Sequence, residues 1–173
     1  MNQSSGEAHL LFSEGGDCLR KQEPFARILG LAYYDGVTSG VAESATSSAC
    51  YRLKMLDELP DWDEGNDIRI FSLALLPAGS LDRIVEVCPD REHARWPVWV
   101  PSWRFDSESA QQSAEREVQS VLDNAAPPHM VMATDAGLRT IMASRQVTEE
   151  DLVKVSDWLA FLGLAGLRST RHA

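Results

Sequence analysis

The chain has 173 residues, 44% apolar and 24% charged, with a net charge of −10 from 26 acidic and 16 basic side chains. That length fits one domain of roughly 100–150 residues with short appendages, and its apolar content supplies a core that a disordered chain would lack. An acidic surface with no basic run repels phosphate, so neither nucleic acid nor an anionic membrane is an expected partner.

Residues 1–23 are polar, with Ser4-Ser5-Gly6 and Gly15-Gly16, and read as a loosely ordered N-terminal arm. Within it, Leu10-Leu11-Phe12 allows docking or a short edge strand. The arm has neither the basic n-region nor the apolar h-region of a signal peptide. No apolar run approaches the roughly 20 residues that span a bilayer. Cys18, Cys50 and Cys88 are odd in number and show no CxxC spacing, which fits a reducing cytoplasm and a soluble protein.

Nearly continuous apolar residues from Phe25 to Tyr34, closed by Asp35-Gly36, predict a strand and a turn. Successive strand residues point to opposite faces, so one of Tyr33 and Tyr34 is expected inward and the other outward. Ser39 to Ser44 and Ala49 to Leu56 predict two more strands. In the latter, Tyr51, Leu53 and Met55 alternate with Arg52 and Lys54, the period of a half-buried strand. Ile68 to Leu76, apolar on both faces apart from Arg69 and Ser72, reads as a central strand. Short connections between these four segments predict an antiparallel meander.

Ser80 is expected to cap a short helix carrying Leu81, Ile84, Val85 and Cys88 on one stripe, closed by Pro89. Arg95 to Trp103 holds two prolines and three tryptophans, and reads as an extended connection or edge strand. The clearest helix spans residues 106–124, with Ala110, Ala114, Val118, Val121 and Leu122 on one stripe and Pro127-Pro128 after it. His129 to Thr134 and Leu138 to Ser144, joined by Asp135-Ala136-Gly137, predict a hairpin. A last helix follows from about Thr148 to Leu162, with acids in its first turn. The expected fold is α+β: a mainly antiparallel sheet, built of a four-strand meander plus a later hairpin, packed by two to three helices. It would occupy residues 24–165 as a single domain, with a tail at 166–173.

The most locally specific feature is the connection from Asp57 to Asp67, which packs six carboxylates and no basic residue. Its like charges repel, and water, a cation or a basic partner must relieve them. Asp61, Asp63 and Asp67 approach the spacing of a calcium loop, but positions five, six and twelve hold Gly65, Asn66 and Ser72 instead of the oxygen ligand, Gly and Glu required. A solvated hairpin tip is therefore expected, with no metal site assigned. There is no HExxH or HxxxH pair, no GxSxG elbow and no phosphate-binding glycine motif, so no catalytic residue and no cofactor is assigned.

The sequence supports most a non-enzymatic protein-binding module, of adaptor or immunity type, that meets a basic protein partner. Asp57, Asp61, Asp63, Glu64 and Asp67 would supply charge, with Trp62 and Tyr34 as aromatic anchors. Two alternatives stand beside it. One is an enzymatic or small-molecule-binding domain whose pocket lies between the sheet and the 106–124 helix, lined by Tyr34, Asp35 and His129. The other is a calcium-stabilised structural module. The edge strands and the tryptophan segment would also suit a homodimer.

Overall fold

The computed structural model of the chain describes residues 9–13, 21–23, 25–59, 67–88, 90–95, 98–138 and 149–161. The fold is α+β. Nine strands are present among the described residues: β1 (His9–Ser13), β2 (Lys21–Glu23), β3 (Phe25–Tyr33), β4 (Val37–Ser44), β5 (Cys50–Leu59), β6 (Ile68–Leu76), β7 (Arg91–Arg95), β8 (Val98–Pro101) and β9 (Met130–Asp135). Three helices accompany them: α1 (Ser80–Val87), α2 (Glu108–Asp123) and α3 (Glu149–Phe161).

The strands form one sheet in the order β2-β1-β9-β6-β5-β4-β3-β8-β7. Its pairs are antiparallel except β3 with β8, where Ile28 faces Val98 and Leu29 faces Trp99 in parallel register. The Leu10-Leu11-Phe12 segment lies in β1, paired on one side with β2 and on the other with β9. β9 is the only described strand of the hairpin expected near Asp135; of the expected return strand, Leu138 to Ser144, all but Leu138 lies outside the described residues.

Period-two alternation gives the sheet two apolar faces. One gathers Phe25, Ile28, Val37, Tyr51, Leu53, Phe71, Leu73 and Met132 with Leu138. The other gathers Leu29, Val41, Cys50 and Leu76 beneath Leu81 and Ile84 of α1 and Val118 and Val121 of α2. Ile70, Phe71, Leu73 and Val131 are fully buried, as expected for strands deep inside the sheet.

The sheet curls at one end. The β3–β4 turn and the turn after β9 lie several strands apart in the order, yet Gly36 packs directly against the Ala136 carbonyl. Right-handed strand twist accumulates across a sheet, and the register slip between Met55 and Asp57 in the β5–β6 ladder adds bend. This curl brings several of the sequence-marked residues together.

Candidate functional site

The β3–β4 ladder slips register between Gly30 and Ala32 and again between Ala32 and Tyr33. The two slips offset each other, so the ladder regains its register where Tyr33 faces Val37. β3 ends at Tyr33 and Tyr34 opens the turn, where strand alternation no longer applies, and both tyrosines face outward, Tyr33 at 52% and Tyr34 at 76% exposure. The expectation of one inward tyrosine is therefore corrected, and Tyr33 joins Tyr34 as an exposed aromatic.

The turn that carries them is tightly held. Asp35 sits in the left-handed region at φ 47°, which Asp tolerates, and Gly36 follows at φ 138°. The Tyr34 N–H donates to the Gly36 carbonyl at 2.8 Å. A Cβ on Gly36 would lie 2.1 Å from the Ala136 carbonyl oxygen, so this position admits only glycine.

Arg69 of β6 braces the turn from beneath. Its side chain is 2% exposed. Nε donates to Glu58 Oε1 at 2.6 Å, Nη1 to the Val37 carbonyl at 3.1 Å and Nη2 to the Tyr34 carbonyl at 2.8 Å. A buried guanidinium is costly unless its charge and donors are matched. Here one carboxylate answers the charge, three of the five N–H donors are engaged among the described residues, and the bonds tie β6 to β5, to the start of β4 and to the turn. The sequence carried a signal for this residue: a lone arginine inside an otherwise apolar strand.

The acidic connection meets the turn at its C-terminal root. The Ala136 N–H donates to the Asp67 carbonyl at 3.0 Å, so Asp67, Ala136 and Gly36 form a continuous contact. At the other root, Asp57 caps its own neighbour, accepting from the Glu58 N–H at 2.9 Å, and takes the indole N–H of Trp158 at 3.1 Å. Asp57 thus anchors α3 to β5. Asp61, Trp62, Asp63 and Glu64 lie outside the described residues.

The residues expected to line a ligand pocket are not brought together. Tyr34 and Asp35 sit by Ala136, beyond the C-terminal end of β9. His129 precedes its N-terminal end, with its N–H on the Leu73 carbonyl and its ring stacked on Tyr51 at 6.1 Å. The strand between them is six residues long, which at about 3.3 Å per residue separates the groups by roughly 20 Å. An open cleft of about 740 Å³ does lie beside α2, but it is shared with α1 and lined by Arg83, Val87, Phe105, Ala114 and Glu117 among others. Tyr34, Asp35 and His129 do not reach it.

Other chemistry is limited by burial. Cys50 and Cys88 are buried free thiols. Desolvation pushes Cys50 up to about 11 and raises Cys88 as well, so neither supplies the thiolate that nucleophilic work requires. Among the described residues no cluster of three His, Cys, Asp or Glu side chains could hold a metal ion. None of the described helices is long and apolar enough to cross a membrane. No family model, curated protein or solved structure matches this chain.

Proposed function

We propose that this protein is a non-enzymatic binding module that presents the Tyr33–Tyr34 turn, together with the acidic connection that ends at Asp67 beside it, to a basic protein partner. One observation carries the reading: two adjacent tyrosines are largely exposed on a turn that a buried arginine and a glycine-only contact hold in place. Tyrosine supplies amphipathic contact area at low conformational cost, and aromatic anchors dominate interface energetics. A rigid turn adds to this, because little ordering entropy remains to be lost on binding.

Charge supplies the partner's chemistry. The net charge of −10 and the six carboxylates between Asp57 and Asp67 disfavour an acidic partner and steer a basic one. Such a surface suits an adaptor, or an immunity-type protein that blocks a basic toxin or nuclease.

The test is a lysate pull-down with the intact chain as bait at low and high salt, beside two variants. The first is Tyr33→Ala/Tyr34→Ala and the second is Asp61→Asn/Asp63→Asn/Asp67→Asn. The expected result is one stoichiometric basic partner, lost with the tyrosine variant and retained only at low salt, more weakly, with the asparagine variant. A partner that tolerates both variants, or an acidic partner, would sink the reading.

A further inference from the structure

A second site lies on the helical side of the sheet, where Leu81 and Val85 of α1 approach Arg27 to Leu29 of β3, beside the parallel β3–β8 pair. A half-enclosed cavity of about 170 Å³ opens there. Leu29 and Leu81, both buried, line it together with Ile28 and Val85. That volume is close to the roughly 150 Å³ of an apolar cavity that holds benzene. The space fits one ring or a short branched acyl group.

Two arginines border this apolar space, and they differ in what they already bind. Arg27 Nε lies 2.7 Å from Glu43 Oε2 and Nη1 lies 2.9 Å from Asp82 Oδ1, so its charge is answered by two carboxylates. These bonds also tie β3 to β4 and α1, which fixes one wall of the cavity. Arg91 is different. Its guanidinium stands over the Trp99 ring, 5.8 Å from the centroid. Among the described residues its side chain has no hydrogen bond and no ion pair. Other arginines among the described residues also lack a carboxylate partner; what sets Arg91 apart is that its side chain stands on an aromatic face at the border of an apolar cavity.

We propose that this cavity binds a small monoanionic carboxylate carrying a ring-sized apolar group, with the ring on Leu29, Leu81 and Val85 and the carboxylate on Arg91. Packing against an aromatic face orients a guanidinium while leaving its in-plane donors available, the geometry that grips a carboxylate through two parallel hydrogen bonds. A single uncompensated cation matches a single negative charge. The nearby Glu43 and Asp82 are already held by Arg27, so they do not offer a site for a cationic ligand. The apolar walls reject ligands that are polar throughout, because their groups would lose water without replacement. This site lies near the start of β3, whereas the tyrosine turn follows its end, so the two readings stand or fall separately.

The experiment is a proton–nitrogen correlation NMR titration of the full chain with phenylacetate, with phenylacetamide as the neutral analogue. The expected result is saturable shifts at the Trp99 indole N–H and the Leu29 and Leu81 amides, with a Kd on the order of 0.1–1 mM, typical for about ten heavy atoms. Phenylacetamide should bind at least about tenfold more weakly, as should phenylacetate to Arg91→Ala, since each loses a charge-assisted pair. Arg91 is exposed, so its removal leaves the core intact, which the unchanged amide spectrum of the free variant will verify. Absence of saturable shifts, equal affinity for the neutral analogue, or undiminished binding by Arg91→Ala would each overturn the proposal.

Discussion

At the scale of single residues, the tyrosine turn depends on Gly36 more than on any other position in it. Its φ of 138° is one that residues bearing a Cβ rarely adopt, and that strain alone costs about 1–3 kcal/mol. A methyl group there would also meet the Ala136 oxygen at 2.1 Å and Arg69 Nη1 at 2.7 Å. Gly79 provides an internal comparison: it too has positive φ, at 80°, but an added Cβ meets nothing within 4 Å. Gly36→Ala should therefore lower unfolding stability by at least about 3 kcal/mol, and Gly79→Ala by only about 1–2 kcal/mol. Urea denaturation of the two variants checks this. Equal losses would show that the Gly36–Ala136 contact relaxes without cost, and that the turn is not braced. The Asp35-Gly36 pair was legible as a turn because its chemistry is local. The outward pair of tyrosines was not, because β3 ends at Tyr33 and the apolar run that predicts the strand carries on through Tyr34 without marking that end.

At the scale of elements, what could be read was what an element's own pattern carries. β6 spans Ile68 to Leu76, the apolar run itself, and α2 keeps Ala114, Val118 and Val121 buried on the expected stripe. Helix starts were harder. Ser80 reads as a cap, yet Gly79 takes that position in the left-handed region without a side-chain bond. The Ser80 hydroxyl instead donates back to the Pro77 carbonyl at 2.7 Å, because the turn at Pro77-Ala78-Gly79 places the serine one residue inside the helix. In α2 the cap is Ser107, whose Oγ accepts from the Ala110 N–H at 3.2 Å. Ser107→Ala should cost about 1 kcal/mol, and Ser107→Asp should be neutral or slightly stabilising because an acid at a helix start also meets the dipole. Thermal unfolding followed by circular dichroism distinguishes them. An alanine variant as stable as the parent would mean that packing of the stripe, not the cap, sets where α2 begins.

At the scale of the whole molecule, long-range pairing was the least legible property. Nothing in β8 announces that it lies parallel to β3, nor in β9 that it enters between β6 and β1, since both depend on which edges the chain leaves open. The Arg27–Arg91–Trp99 constellation stayed hidden for the same reason: 72 positions separate Trp99 from Arg27, and only the parallel pairing joins them.

Net charge, by contrast, is a whole-molecule property that sequence gives directly, and it makes its own prediction. Acids exceed Lys and Arg by ten. Four ion pairs occur among the described residues, and three arginines serve them all: Arg27 with Glu43 and Asp82, Arg69 with Glu58, and Arg83 with Glu117. Whatever the local pairing, ten surplus acids leave a net repulsion that the compact state concentrates and the unfolded chain relieves. Salt acts on both terms. It weakens an exposed pair such as Arg83–Glu117, worth at most about 1 kcal/mol, while the deeply buried Arg69 is screened much less. It also shortens the screening length from about 30 Å at 0.01 M to about 10 Å at 0.1 M, which removes repulsion across the whole surface at once. The repulsive term involves more charges over longer distances, so it should win. Raising sodium chloride from 10 mM to 500 mM should lift Tm by about 3–6 °C, the shift that roughly 1–2 kcal/mol produces in a domain of this size. Chloride is the suitable anion because sulfate strengthens apolar burial in any protein. A Tm that stays flat or falls would mean that local attractions already balance the surplus acids, and would remove the electrostatic half of the case for a basic partner.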